Sequence, residues 1–143
     1  MHKHFPGPSN FWRRRFGFAV LATAVLAAVL PPAIARAHGS LVRSEPVDGA
    51  LLDQSPSRVT AWFNQELEAP PSTIAVFDAL GRQIDSGKGG VDLDDPDHAS
   101  LTATLANALD AGRYTVRWSV VSATDGHSGH ATSGEFVFEI RQP

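Results

Sequence analysis

Cysteine is absent from this chain, and its single methionine is Met1. Without cysteine there are no disulfides, no thiolate zinc or iron–sulfur centres, and no copper site of the type whose defining ligand is a thiolate. Once the first residues are removed, a thioether site for Cu(I) is excluded as well. Long apolar runs are also scarce. The longest, Phe16 to Leu30, is interrupted only by Gly17 and Thr23. At about 15 residues it falls short of the roughly 20 that a spanning helix needs. Positive charge is thin beyond the opening. Lys3, Arg13, Arg14, Arg15 and Arg36 are five of the twelve basic residues, whereas all fifteen acidic residues lie after residue 37. Residues 38–143 therefore carry a net charge of about −8, which argues against nucleic acid or an anionic membrane as a partner.

What is present begins with a leader. A basic opening, the apolar run, Pro31-Pro32 and then Ala35-Arg36-Ala37 follow the order of a secretory signal peptide with an A-x-A cleavage site. This predicts a leader over 1–37, an exported single domain over 38–143, and an uncleaved anchor as the alternative. Arg13-Arg14-Arg15-Phe16 also fits a twin-arginine pattern loosely, so the export route stays open. Cleavage after Ala37 would make His38 the mature N-terminus. A terminal histidine offers a free α-amine and an imidazole from one residue, and the amine's ordinary pKa of about 7.7–8.0 lets a metal displace its proton readily at neutral pH.

The rest of the chain alternates short apolar patterns with turn chemistry. Val59, Ala61 and Phe63 share one face of a period-two segment. Thr73 to Phe77 is a β-branched run. Leu101, Ala103 and Leu105 alternate with threonines, and Tyr114, Val116, Trp118 and Val120 mark the longest strand. Phe136 and Phe138 share a face near the end. No segment reads as a convincing amphipathic helix. About seven strands at this spacing predict an all-β, antiparallel β-sandwich, without the Cys–Trp–Cys signature of an antibody domain. Trp62 and Trp118 read as core aromatics. The aspartates between Val91 and His98 lack the glycine and glutamate of a calcium-binding EF-hand loop, so the stretch reads as a solvated acidic loop with His98 a bystander in it.

The stretch richest in chemistry is Ser122 to His130. Asp125 and His127 are two apart, so in extended backbone they project from one face and can meet one ion, with Gly126 free to bend between them. His130 lies within reach. An amine, two imidazoles and a carboxylate form a nitrogen and oxygen set suited to tetragonal Cu(II), and zinc accepts the same set in tetrahedral geometry. Export and the absence of sulfur ligands favour Cu(II).

Several stretches resemble CopC-family copper-resistance proteins over essentially all of 38–143 and in the same order. They are His38 to Ala50, Trp62-Phe63-Asn64-Gln65-Glu66-Leu67, Asp110 to Trp118, and Asp125-Gly126-His127 through Gly134-Glu135-Phe136. The resemblance implies a periplasmic sandwich, immunoglobulin-like or cupredoxin-like, that binds Cu(II) through His38, Asp125 and His127. It also implies a membrane transporter of the CopD type as copper partner. Three departures stand out. Gln65 occupies a place where relatives often carry glutamate, with Glu66 following it, so which of the two lies near the copper is open. Gly134 is seven residues after His127, whereas His130 has the family's usual spacing, so His130 is an alternative or additional ligand. The methionine-rich Cu(I) site of some members has no counterpart. The function expected is a monomeric, non-enzymatic copper carrier or buffer. The alternatives are a copper-dependent oxidative enzyme, for which few exposed aromatics are available to hold a polymer, and a non-metal interaction domain.

Overall fold

A computed structural model describes residues 39–124 and 130–141. The expected leader lies outside them. The described chain is all β: β1 (Leu41–Glu45), β2 (Ala50–Leu52), β3 (Arg58–Phe63), β4 (Thr73–Phe77), β5 (Gly90–Val91), β6 (Ser100–Thr104), β7 (Gly112–Val120) and β8 (Thr132–Ile140). They form one curled sheet in the order β1-β3-β6-β5-β4-β7-β8-β2. The expected strands are present. Two more, β2 and β5, are too short to show a period. All pairings are antiparallel except β2 with β8, where Ala50 to Leu52 run alongside Phe138 to Ile140. That parallel pair is set by the turn before it. The Gly49 N–H donates to the Val137 carbonyl at 2.7 Å, and the Val137 N–H donates to Asp48 Oδ1 at 3.0 Å.

The alternating residues meet inside. Val59, Ala61, Leu101, Val76, Val116 and Phe138 are all but completely buried, with Phe63, Leu67, Tyr114, Val120, Phe136 and Ile140 around them. This apolar burial is the main source of stability for a cysteine-free domain. Tyr114 stacks on Phe138 with ring centroids 5.4 Å apart, and its hydroxyl donates to the Asp110 carbonyl four residues upstream at 2.9 Å. Burial, with Asp110 and Asp78 nearby, pushes its phenol above the usual 10.0. Trp118 meets Phe63 edge-on at 5.0 Å and lies over Gly134, where a Cβ would come 2.4 Å from the indole. A glycine is therefore required at that position. Trp62 is not in this core: it is half-buried on the opposite face of β3, with the Arg43 guanidinium 3.7 Å above its ring.

The registers define two ends. Arg58 pairs with Thr104 and Gly112 with Ile140 at one end, while Trp62 pairs with Ser100, Thr73 with Ser119, and Val120 with Thr132 at the other. The second end receives the chain entering β1, the 64–72 connection and residues 121–124.

Candidate metal centre

Three predicted ligands, His38, Asp125 and His127, lie outside the described residues. What is described is the backbone that flanks them. On the His38 side, Gly39 is buried. A Cβ added to it would sit 3.0 Å from Val120 Cγ2, 3.8 Å from Leu67 Cδ2 and 3.9 Å from Gln65 Nε2. The following residue, Ser40, donates its N–H to Asn64 Oδ1 at 2.8 Å, and its carbonyl accepts the Asn64 N–H at 3.1 Å. The residue after His38 is thus packed on the last residue of β7, five positions before Asp125.

On the Asp125 side, residues 121–124 are bound along the 66–72 connection. Glu68 N–H donates to the Val121 carbonyl at 2.8 Å, Leu67 bridges Ser122, and Ala123 N–H donates to the Glu66 carbonyl at 3.0 Å. The buried Ser72 hydroxyl accepts the Val121 N–H at 3.0 Å and donates to the Val121 carbonyl at 3.3 Å. Ser122 Oγ accepts the Thr124 N–H at 3.2 Å and lies 2.9 Å from Thr124 Oγ1, a serine turn directly ahead of Asp125. Val121 and Ser122 are buried, and Ala123 and Thr124 are exposed beyond them.

Of the two candidate side chains after Phe63, the half-buried Gln65 reaches towards Gly39, whereas Glu66 is exposed and joins the wall through its carbonyl. The position beside the terminal segment therefore holds an amide and not a carboxylate. His130 is exposed, two residues ahead of β8. Among the described residues no group of three or more His, Asp or Glu side chains is placed to hold a metal.

The acidic loop proves more ordered than its composition indicates. Asp95 Oδ2 accepts the Ser100 hydroxyl at 2.6 Å and the Ala99 N–H at 3.2 Å, and Oδ1 accepts the Asp97 N–H at 3.2 Å. The Ser100 bond, helped by the two amides, holds the Asp95 carboxyl below its ordinary 3.8 against the opposing effect of burial. His98, read from the sequence as a bystander, is wired into the same end. Its carbonyl accepts the Leu67 N–H at 2.9 Å, and it is the one non-glycine described residue with positive φ, 45°. A groove of about 830 Å³ lies on the outer face of β3 and β6, floored by Thr60 and Thr102 and rimmed by Trp62, Asp92 and Asp94. It does not include Gly39 or the 120–124 segment.

Residues 41–141 match the CopC domain. The chain belongs to the CopC domain family. Among curated relatives, it is 30% identical over 112 residues to the copper transport protein CutJ of Bacillus subtilis, a match that covers 78% of this chain but 20% of CutJ. It is 29% identical over 145 residues to copper resistance protein C of Xanthomonas campestris pv. juglandis, covering 88% and 99% of the two chains. The crystal structure of CopC from Methylosinus trichosporium superposes with a TM-score of 0.61 at 25% identity, over 72% of this chain and 93% of that one. The named relatives are copper transport and resistance proteins, and the curled β architecture is common to the family. Sequence reasoning reached the family but missed Gly39, Asn64 and Ser72. Their roles come from contacts between segments far apart in the chain, which no spacing announces.

Proposed function

We propose that this CopC-family protein is exported to the periplasm, loses residues 1–37, and carries one Cu(II) on the terminus so created. The His38 amine and imidazole, the His127 imidazole and the Asp125 carboxylate are its ligands, with His130 as the alternative second imidazole. The observation that carries this reading is the packing of Gly39 against Val120. The residue next to His38 and the segment leading into Asp125 are neighbours on one wall, so ligands from the two chain regions need only short reach to meet. Donor chemistry agrees, because nitrogen and oxygen ligands without sulfur suit Cu(II). An amide at Gln65 leaves Asp125 as the carboxylate of the set.

A site made from a terminus and a loop at the end of a sandwich is open to solvent and to another protein. That suits a monomeric carrier or buffer, and no general base or substrate cleft is required of it. CutJ supports a transport role: there the matched stretch is one-fifth of a longer copper transport protein. The copper partner proposed for this protein is a CopD-like membrane transporter that receives or supplies the metal.

The test is Cu(II) titration of the exported, processed protein, followed by electron paramagnetic resonance. One tight equivalent with a tetragonal, nitrogen-rich signal is expected. H127A should weaken binding by about a hundredfold or more, as loss of a direct ligand does, while H130A should leave it nearly intact. The reverse order assigns His130. Equal and weak binding by all three forms would overturn the reading in favour of a metal-free interaction domain. Turnover of oxygen with ascorbate would overturn it in favour of an enzyme.

A further inference from the structure

The entry of the chain into β1 carries an irregularity that bears on this same site. Leu41 pairs with Phe63 and Arg43 with Trp62, so the β1–β3 ladder slips by one residue at Val42, which is left 63% exposed. A bulge at a strand's end normally releases the residues before it, because it kinks the strand and ends regular pairing. Here pairing resumes beyond the bulge, and a side chain resumes it. Ser40 N–H donates to Asn64 Oδ1 at 2.8 Å and Ser40 C=O accepts Asn64 N–H at 3.1 Å. Asn64 thus supplies both partners that an opposing strand residue would supply. Chain termini fray unless they are tied down, and this tie falls two residues from His38.

We infer that Asn64 is a positioning residue for copper: it touches no metal, but it fixes the segment that presents the His38 amine and imidazole. The inference rests on the terminal-histidine reading above. A chelating terminus that is already held surrenders less conformational freedom on binding, so ordering costs less of the interaction free energy. Gly39 completes the arrangement. Its α-carbon lies so close to Val120 that a methyl there would meet Val120 Cγ2 at 3.0 Å, which presses the tethered segment onto the end of β7. Asparagine is well suited to the task, because its side-chain carbonyl oxygen accepts the Ser40 amide. Nothing in the local sequence pattern assigns this role, since Asn64 reads as an ordinary residue ending a strand.

The experiment measures Cu(II) affinity by competition with a chromophoric chelator, with resonance spectra and copper-free melting curves, on processed protein whose terminus is verified by mass spectrometry. N64A is expected to raise the copper Kd about tenfold, as loss of preorganisation does. It should also split a single Cu(II) spectrum into a mixture, with little change in copper-free melting. N64D keeps the oxygen acceptor and should restore most of the affinity. S40P removes the donor from the other side, with S40A as the control for its side chain. Its loss should match that of N64A, and the double variant should lose no more than either, because both break one interaction. A Kd for N64A within about twofold of the unaltered protein, or losses that multiply in the double variant, would overturn the inference. An alanine added before His38 separates the two levels. If that extension weakens binding and N64A does not, only the role of Asn64 fails. If neither matters, the terminal-histidine site itself fails.

Discussion

The two ends of the sandwich are closed by different means. At the end away from the proposed copper site, Arg113 faces Glu139 at 3.6 Å, Arg141 faces Asp53 at 3.3 Å, and Arg82 holds Asp78 at 2.7 Å. The Tyr114 hydroxyl caps the Asp110 carbonyl there, and Phe138 fills the space beneath it. A further ion pair, Arg117 with Glu135, spans β7 and β8 on the sheet face. At the opposite end, Glu66, Glu68, Asp92, Asp94, Asp95 and Asp97 form no ion pair with a lysine or arginine among the described residues. Closure there relies on main-chain hydrogen bonds between the 39–40, 64–72, 98–99 and 121–124 segments. One end is thus an ordinary folded terminus of a sheet. The other is a hydrogen-bonded frame whose carboxylates make no ion pair with lysine or arginine among the described residues, which suits a place where a cation is to arrive. On the proposed reading, stability and copper binding rest largely on separate residues and should respond separately to substitution.

The largest expected effect comes from emptying the core beneath the far end. F138A should cost about 3–5 kcal/mol in chemical denaturation, as aromatic-to-alanine changes in packed cores do. Copper affinity of the folded fraction should stay unchanged, and a parallel loss of affinity would erase the distinction between the ends.

Y114F, which removes one hydrogen bond and leaves the stack, should cost about 1 kcal/mol. It should also alter the alkaline limb. The folded phenol titrates above 10.0, so the unfolded chain ionises first and the native protein loses stability as pH rises beyond that value. In Y114F that alkaline loss should be smaller, as pH-dependent melting will show.

At the end of the proposed copper site the sign reverses. The folded Asp95 carboxyl lies below 3.8, so its contribution is fully present above that value and is lost as pH falls through the lower folded value. D95N should be less stable at neutral pH and show a flatter acid limb than the unaltered protein. An unchanged acid limb would mean that the Asp95 turn does not hold the loop.

The smallest effect belongs to the surface pairs. Arg141 and Asp53 are 59% and 79% exposed, and R141Q should change stability by about 0–0.5 kcal/mol, less in high salt.

Much of the fold was legible because period-two patterning and burial report the same thing. Val59, Ala61 and Phe63, or Tyr114, Val116 and Val120, announce their strands because their alternate faces meet the core. The short strands β2 and β5 carry no period, and β2 owes its parallel pairing to Asp48 and Gly49. Trp62 was misplaced since an indole reads as core whichever face it takes, and only the Arg43 stack reveals the outer one. For the proposed site, donor types were legible and the supporting frame was not. Histidine and aspartate announce ligand chemistry, whereas Asn64, Ser72 and Gly39 act through partners 24, 49 and 81 positions away.

The most direct test of the terminal-histidine site is a Cu(II) titration of two processed proteins, one beginning at His38 and one carrying a single alanine before it. Tight one-to-one binding with a nitrogen-rich tetragonal signal is expected in the first and a sharp loss of both in the second. Equal binding by the two would contradict it, because a site built on the His38 amine cannot survive displacement of that amine by a peptide bond.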